Sequence, residues 1–244
     1  MKRTARAVRA ATVLSIIIAL VIGVRLLSAT EYTTARANAN DLSFYQPSQT
    51  TTPYPPSSRQ EVHNVIVCIG DGMGLGQIAL ARVHGAGLAG KLYLERLPVT
   101  GLVRTHAANS AVTDSAAAGT ALACGIKTNN GMIGMAPDGR AYQTILEAAQ
   151  AKGMATGIVV TSTLSHATPA CFAAHVTSRK MEDQIAGQLL AARVNVLFGG
   201  GRKFFLPKSA RHSGRKDEID LIAAAGRAGY EYVETVDALP SRRG

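Results

Sequence analysis

Runs of consecutive apolar residues alternate with segments of helical periodicity from residue 62 onward. The runs at 62–70 and 154–162 are typical of strands that are buried on both faces of a sheet. The run at 194–201 predicts a strand that ends in a glycine turn, and shorter strands are predicted at 99–105 and 230–233. This pattern predicts a folded domain that contains a sheet.

The segments between these runs have the composition and periodicity of helices. Gly125 and Gly153 predict the ends of two of them, because glycine readily adopts the left-handed conformation that closes a helix. The predicted helices are 74–85, 115–125, 142–153, 180–193 and 217–229. Strands that alternate with helices predict an α/β fold with a mainly parallel central sheet that helices cover on both faces.

The beginning of the chain predicts export. Lys2, Arg3, Arg6 and Arg9 precede an apolar run of about fifteen residues at 10–24, which is the length of a signal-peptide core and is short for a membrane-spanning helix. Small-residue cleavage patterns follow this run, and an anchor that is not cleaved remains the alternative. Under either interpretation, we expect the rest of the chain to be exported, periplasmic or extracellular, with membrane attachment if the segment is retained.

The composition divides the chain into three parts. Residues 1–37 are interpreted as a signal peptide or N-terminal membrane anchor. Residues 38–60 are rich in Pro, Ser and Thr and are predicted to form an extended linker. Residues 61–244 are predicted to form the folded domain.

The formal net charge of +10 is concentrated in two regions. Basic residues outnumber acidic residues within 1–60, and a second basic cluster lies at 202–216. Neither region has the aromatic interleaving or the motifs of a nucleic-acid-binding protein, so we expect no nucleic-acid partner. Attraction to anionic lipid or to an anionic substrate is favoured instead.

The three cysteines, Cys68, Cys124 and Cys171, do not have the spacing of a metal site. Cys68 lies in a predicted strand and Cys124 in a predicted helix, so small buried side chains are the expected interpretation. The odd count argues against a full disulfide framework, and a single bridge stays open.

Polar residues follow several predicted strands or begin a helix. Asp71 follows the strand 62–70 at once, His166 and Thr168 follow the strand 154–162, and Ser115 begins a helix. In parallel sheets, ligands bind beyond the carboxyl ends of the strands. We therefore expect these polar groups to lie along one edge of one sheet.

Each of these residues has a simpler structural interpretation. Asp71, between two glycines, is also suited to a turn or a helix N-cap, although a carboxylate at a strand end is a common ligand of divalent metals. Thr113 or Asp114 can cap the next helix, which leaves Ser115 in the first turn, where the helix dipole stabilises anions. Arg179 is suited either to the surface or, through its guanidinium fork, to phosphate.

Four motifs together resemble the alkaline phosphatase family, in the order and at the separations expected of it. They are CIGDGMG, TDSAAAGTALACGIKTNNGMIG, SHATPACFAAHVTSRK and VNVLFGGGRKFF, and the resemblance runs from about residue 62 to the end of the chain. It implies a three-layer α/β sandwich, hydrolysis of phosphate monoesters through a phosphoserine intermediate, and a cluster of two Zn²⁺ and one Mg²⁺. The resemblance leaves open whether the protein forms a homodimer.

The resemblance also implies roles for individual residues. Ser115 is similar to the nucleophile that becomes phosphorylated, and Arg179 is similar to the arginine that binds phosphate. Asp114 would help to position that arginine. Asp71 resembles the carboxylate that bridges the second zinc and the magnesium. Thr168 resembles a magnesium ligand, and His166 stands at a position that supports the metal site indirectly or through water.

The chain departs from the family in its supply of metal ligands. Beyond Arg179 its only histidine is His212, in a basic loop, whereas the family takes most zinc ligands from a C-terminal half. We therefore expect this chain to be the N-terminal, truncated portion of such an enzyme and to be inactive or weakly active by itself. The alternative is a non-catalytic exported module that binds phosphate or another anion. A sulfatase is disfavoured, because sulfatases use a modified Cys or Ser in a different motif.

Overall fold

The computed structural model of the protein describes residues 62–87 and 89–239. Its described part contains one sheet, in which strand β1 (Gly157–Thr163) pairs with strand β2 (Val196–Gly200) in parallel. Ile158 lies opposite Leu197 in this register. The connection between the two strands contains helices, as a parallel pair requires.

Six α-helices accompany the sheet in the described residues. They are α1 (Leu75–Ala86), α2 (Ser115–Cys124), α3 (Ile145–Ala151), α4 (Ala167–Ala170), α5 (Glu182–Ala191) and α6 (Leu221–Arg227). Short 3₁₀ turns occupy Tyr93–Arg96, Arg202–Phe204 and Val236–Ala238. All five predicted helices are present: α1 has its predicted length of 12 residues and the other four are shorter than predicted. The predicted α/β class is confirmed.

Helix α2 begins and ends where its sequence predicts. Asp114 is its N-cap and accepts a hydrogen bond from the backbone N–H of Ala117 at 2.9 Å, so Ser115 is the first helical residue. Gly125 closes the helix with a φ of 70°, in the left-handed region that glycine adopts without steric cost. The capping interpretation of Asp114 is therefore confirmed.

The core lies where α2 packs on α4. Ala116 and Ala123 of α2 are fully buried, as are Ala170 and Cys171 at the end of α4. The small side chains let the two helices approach closely, and the Cys171 thiol donates to the carbonyl oxygen of Ala116 at 3.2 Å. Burial raises the pKa of this thiol to about 12, so it is a neutral, packed group at physiological pH.

Gly119 is the closest point of this contact, and we expect Gly119→Ala to destabilise the protein. A Cβ there would lie 2.9 Å from the Sγ and 3.2 Å from the Cβ of Cys171. In an open helix the same substitution would stabilise by about 1 kcal/mol, so overpacking reverses the sign and costs about 1–3 kcal/mol. Denaturant unfolding measures the difference. The control is Gly187→Ala in α5, where an added Cβ meets nothing within 4 Å; a stabilised Gly119→Ala would contradict the packing.

Three predicted strands are not formed in the part of the chain that the structure describes. Residues 62–70, 99–105 and 230–233 make no ladder with a neighbouring strand there. A strand needs a partner for its backbone N–H and C=O groups, and an apolar run alone does not supply one. Residues 62–70 are exposed throughout, so the expectation that Cys68 is buried is also wrong.

The predictions for the leader at 1–37 and for the linker at 38–60 lie outside the described residues. Among the residues that are described, no helix has the length and apolar character needed to cross a bilayer.

Candidate functional site

Asp71 joins two residues that are far from it in the sequence. The Ser115 hydroxyl donates to the Asp71 carboxylate, with Oγ 2.9 Å from Oδ1 and 3.1 Å from Oδ2. The Thr168 hydroxyl donates to Oδ2 of the same carboxylate at 3.0 Å. The residues predicted from separate loops are thus brought together around one carboxylate.

A tight turn presents the Asp71 carboxylate. The backbone N–H of Met73 donates to the carbonyl of Gly70 at 3.1 Å, and Gly72 occupies the third turn position with a φ of 69°. That conformation favours glycine and is typical of a type II turn. Asp71 is therefore a turn residue, but it does not cap α1, whose N-cap is Gly74. Its side chain is left available for Ser115 and Thr168.

Arg179 is held by two side chains from different elements. Its Nη1 donates to Asp114 Oδ2 at 3.1 Å, and its Nη2 lies 3.1 Å from His166 Nε2. A guanidinium has only donors, so Nε2 of His166 must accept and the ring carries its proton on Nδ1. The side chains of Arg179 and Asp114 are 28% and 26% exposed, so part of each is accessible from solvent.

Asp114 connects the two halves of the site. Its Oδ1 caps α2, and its Oδ2 accepts from Arg179. Ser115 follows it directly, so one residue fixes both the start of the helix that carries the hydroxyl and the position of the guanidinium. The free N–H groups of the first turn and the positive end of the helix dipole favour an anion there. A tetrahedral dianion such as phosphate matches this combination of donors.

The oxygen donors around Asp71 fit part of a magnesium site. Mg²⁺ prefers carboxylate and hydroxyl oxygens, and Asp71 and Thr168 place two such groups in contact. Zinc prefers histidine and cysteine as well as carboxylate. The described residues contain no group of three His, Cys, Asp or Glu side chains that could hold an ion, and His166 contacts Arg179. They do not fit a complete zinc site.

A second polar network, behind α2, has no counterpart in the sequence predictions. The ring nitrogens of His175 lie 2.9 Å from Glu147 Oε1 and 2.8 Å from the carbonyl oxygen of Gly134. Glu147 also closes a capping box with Thr144 at the start of α3. The T-x-x-E pattern at 144–147 was a signal for this box, whereas the partnership with His175 depends on the tertiary fold.

This network is expected to make the free energy of unfolding depend on pH in the acidic range. Burial raises the pKa of Glu147, but hydrogen bonds from His175 and Thr144 outweigh that effect and leave the pKa below its ordinary value. A carboxyl with a lowered folded-state pKa stabilises the protein above its unfolded-state pKa, and this contribution is lost as the pH falls through the folded-state value. We expect the free energy of unfolding to fall in this acidic range.

The measurement is denaturant unfolding of wild type and Glu147→Gln at several values below neutral pH. The wild type should lose more stability on acidification than the glutamine variant, by less than about 1 kcal/mol for a partly exposed pair. Glu231→Gln, which changes an exposed carboxylate, is the matched control. Parallel pH curves for wild type and Glu147→Gln would rule out the contribution.

Comparisons with known proteins identify the family to which the chain is similar. Residues 62–243 match the profile of the family described as alkaline phosphatase. Alkaline phosphatase 4 of Bacillus subtilis is 39% identical over 197 residues, which cover 76% of this chain and 41% of that protein. The crystal structure of the cold-active alkaline phosphatase of Shewanella sp. has a TM-score of 0.61 and 35% identity, covering 68% of this chain and 40% of that chain.

A structure with bound metal is also similar. A mutant of the alkaline phosphatase of the Antarctic bacterium TAB5, with magnesium bound, has a TM-score of 0.60 and 34% identity. The match covers 68% of this chain and 46% of that chain. The chain thus spans less than half the length of these relatives. The resemblance seen in the four motifs is confirmed, and the chain belongs to the alkaline phosphatase family.

Proposed function

We propose that the protein is a phosphomonoester hydrolase that works through a phosphoserine at Ser115. The observation that supports this most strongly is the position of the Ser115 hydroxyl. It begins α2, donates to Asp71, and lies one residue from the carboxylate that holds Arg179. In this proposal, the nucleophile lies at the helix end that favours negative charge, one residue from the carboxylate partner of the guanidinium that would bind the anion.

The first half-reaction transfers the phosphoryl group to the protein. Ser115 Oγ, whose proton faces Asp71 Oδ1, attacks phosphorus and releases that proton to solvent water. The Oγ–P bond forms while the P–O bond to the ester oxygen breaks, and the leaving oxygen takes up a proton and departs as an alcohol. In the second half-reaction, water attacks phosphorus, the Oγ–P bond breaks, and Ser115 regains its proton as inorganic phosphate is released.

Arg179 binds and orients the phosphoryl oxygens. Each of its Nη nitrogens carries two N–H groups. One N–H of Nη1 is used by Asp114 and one of Nη2 by His166. These contacts leave one N–H on each nitrogen for two oxygens of the phosphoryl group. The two partners also fix the plane of the guanidinium, so less rotational freedom is lost when substrate binds.

Asp71 and Thr168 would hold Mg²⁺ through their oxygens. A divalent cation there would stabilise negative charge on phosphoryl oxygens and make a neighbouring hydroxyl more acidic. Zinc is implied by the family resemblance alone. In this proposal, Ser115 is the nucleophile, Arg179 binds the phosphoryl group, and Asp71, Asp114 and His166 orient these groups.

The test is a single-turnover experiment on the purified chain with p-nitrophenyl phosphate, in the presence of Mg²⁺ and Zn²⁺ and, separately, of a chelator. We expect phosphate on a serine of the peptide that contains residue 115, and less of it with the chelator. Single-turnover labelling reports the transfer step itself, whatever the rate of later steps. Binding of inorganic phosphate without any phosphoserine would favour the alternative of an anion-binding module.

We also propose that the protein acts outside the cytoplasm, on the basis of the basic and apolar pattern within residues 1–37. Cell fractionation of a tagged full chain should place it in the periplasmic, extracellular or membrane fraction. Deletion of residues 1–37 should move it to the cytoplasm. Cytoplasmic recovery of the intact chain would exclude export.

A further inference from the structure

We propose that Asn130 is a positioning residue for the Ser115 nucleophile, an inference that rests on the proposed function. Its Oδ1 accepts the backbone N–H of Asp114 at 2.9 Å, and its Nδ2 donates to the carbonyl of Val112 at 2.9 Å. The amide thus pairs with the backbone on both sides of residue 113, as a neighbouring strand would. These two hydrogen bonds hold the loop that immediately precedes Ser115 and the first turn of α2.

The turn that carries Asn130 is itself well defined. The backbone N–H of Met132 donates to the carbonyl of Asn129 at 3.1 Å, and Gly131 takes the third position with a φ of 86°. This arrangement is typical of a type II turn with its required glycine. The backbone N–H of Asn130 donates to Asn109 Oδ1 at 2.9 Å. The side-chain amide is therefore presented from an anchored backbone.

The backbone of the same turn contacts the phosphate-binding half of the site. The N–H of Gly131 donates to Asp114 Oδ2 at 3.0 Å, and its carbonyl accepts the backbone N–H of Arg179 at 2.7 Å. These two contacts do not involve the Asn130 side chain. Removal of that side chain therefore leaves the backbone support of Arg179 in place and takes away the support of the loop that precedes Ser115.

This division predicts a kinetic signature. Without the amide, the N–H of Asp114 and the carbonyl of Val112 lose their Asn130 partner. Because Ser115 follows Asp114 directly, movement of this loop would displace the proposed nucleophile. A small displacement of a reacting atom can cost up to about a hundredfold in rate. Binding through Arg179 should change much less, because its contacts to Asp114 Oδ2 and to Gly131 remain.

The experiment compares Asn130→Ala with Asn129→Ala in the full chain, with p-nitrophenyl phosphate, Mg²⁺ and Zn²⁺. Asn129 is the same residue type in the same turn and contributes its backbone carbonyl to it. We expect Asn130→Ala to form phosphoserine at least about tenfold more slowly at saturating substrate. The half-saturating concentration should stay within about threefold of wild type, and Asn129→Ala should resemble wild type.

Asn130→Asp provides a conservative comparison. It keeps an acceptor for the Asp114 N–H but replaces the donor to Val112, so its rate should fall between wild type and Asn130→Ala. Should the alanine variant fail to fold, a wild-type rate in Asn130→Asp overturns the inference. Equal rates in Asn130→Ala and Asn129→Ala overturn it while the proposed function stands. A wild-type chain that forms no phosphoserine removes the proposed function, and this inference with it.

Discussion

Ser115→Ala is expected to abolish the formation of phosphoserine. The substitution removes the Oγ that faces Asp71 and leaves the cap of α2 intact, because the cap is the side chain of Asp114. Loss of a nucleophile without loss of the surrounding site typically costs at least about a thousandfold in rate. The measurement is rapid acid quench after mixing with p-nitrophenyl phosphate, followed by mapping of the phosphorylated peptide.

Ser110→Ala is the matched control, because Ser110 lies in the same loop and its hydroxyl accepts a hydrogen bond from the backbone N–H of Val112 at 3.3 Å. It should retain labelling at the rate of the wild type. Phosphate found on another residue, or hydrolysis by Ser115→Ala at the rate of the wild type, would show that the nucleophile has been assigned to the wrong residue.

Arg179→Ala is expected to weaken the binding of inorganic phosphate by about tenfold to a hundredfold. A charge-assisted hydrogen bond contributes about 1.5–3 kcal/mol, which corresponds to that range of affinity. The substitution also leaves Asp114 without its cationic partner, and the unpaired carboxylate would repel the dianion. Isothermal titration with phosphate measures both the affinity and the enthalpy.

Two variants sharpen this experiment. Arg179→Lys keeps the charge but loses the fork, and its affinity should fall between those of wild type and Arg179→Ala because a single ammonium nitrogen does not match two phosphate oxygens as a guanidinium does. Arg202→Ala removes an exposed arginine that pairs with Glu234 at 3.2 Å, and it should bind phosphate as the wild type does. Equal affinities of wild type and Arg179→Ala would refute the assignment.

The local features of the site could be predicted from the sequence. A cap followed by alanines and a closing glycine defines α2, because each signal acts within one or two helical turns. The placement of Ser115 in the first turn follows from the cap at Asp114. The association of Asp71, Ser115 and Thr168 could be expected as well. Asp71 and Thr168 follow predicted strands and Ser115 begins a helix, and such positions meet at the carboxyl edge of a parallel sheet.

The strands were harder to predict. The run at 62–70 has the apolar character of a buried strand, yet it forms no ladder within the described part of the chain. Apolar character predicts what a segment would gain from burial, whereas pairing depends on which neighbour is available. For a related reason, the sequence did not predict the contact between His166 and Arg179 or the contacts of the Asn130 amide. Both join residues whose partners are set by the tertiary fold.

The attachment of Asp71 has a consequence for the dynamics of the site. Residues 62–70 are exposed, while Ala116, which follows Ser115 in α2, and Ala170 of α4 are fully buried. Amide hydrogen exchange should therefore be fast before Asp71 and slow in α2, since protection follows the free energy of the local opening that exposes each amide. The carboxylate belongs to the less protected unit and the hydroxyl to the more protected one. Any ligand that needs both would slow exchange around residue 71 far more than in α2.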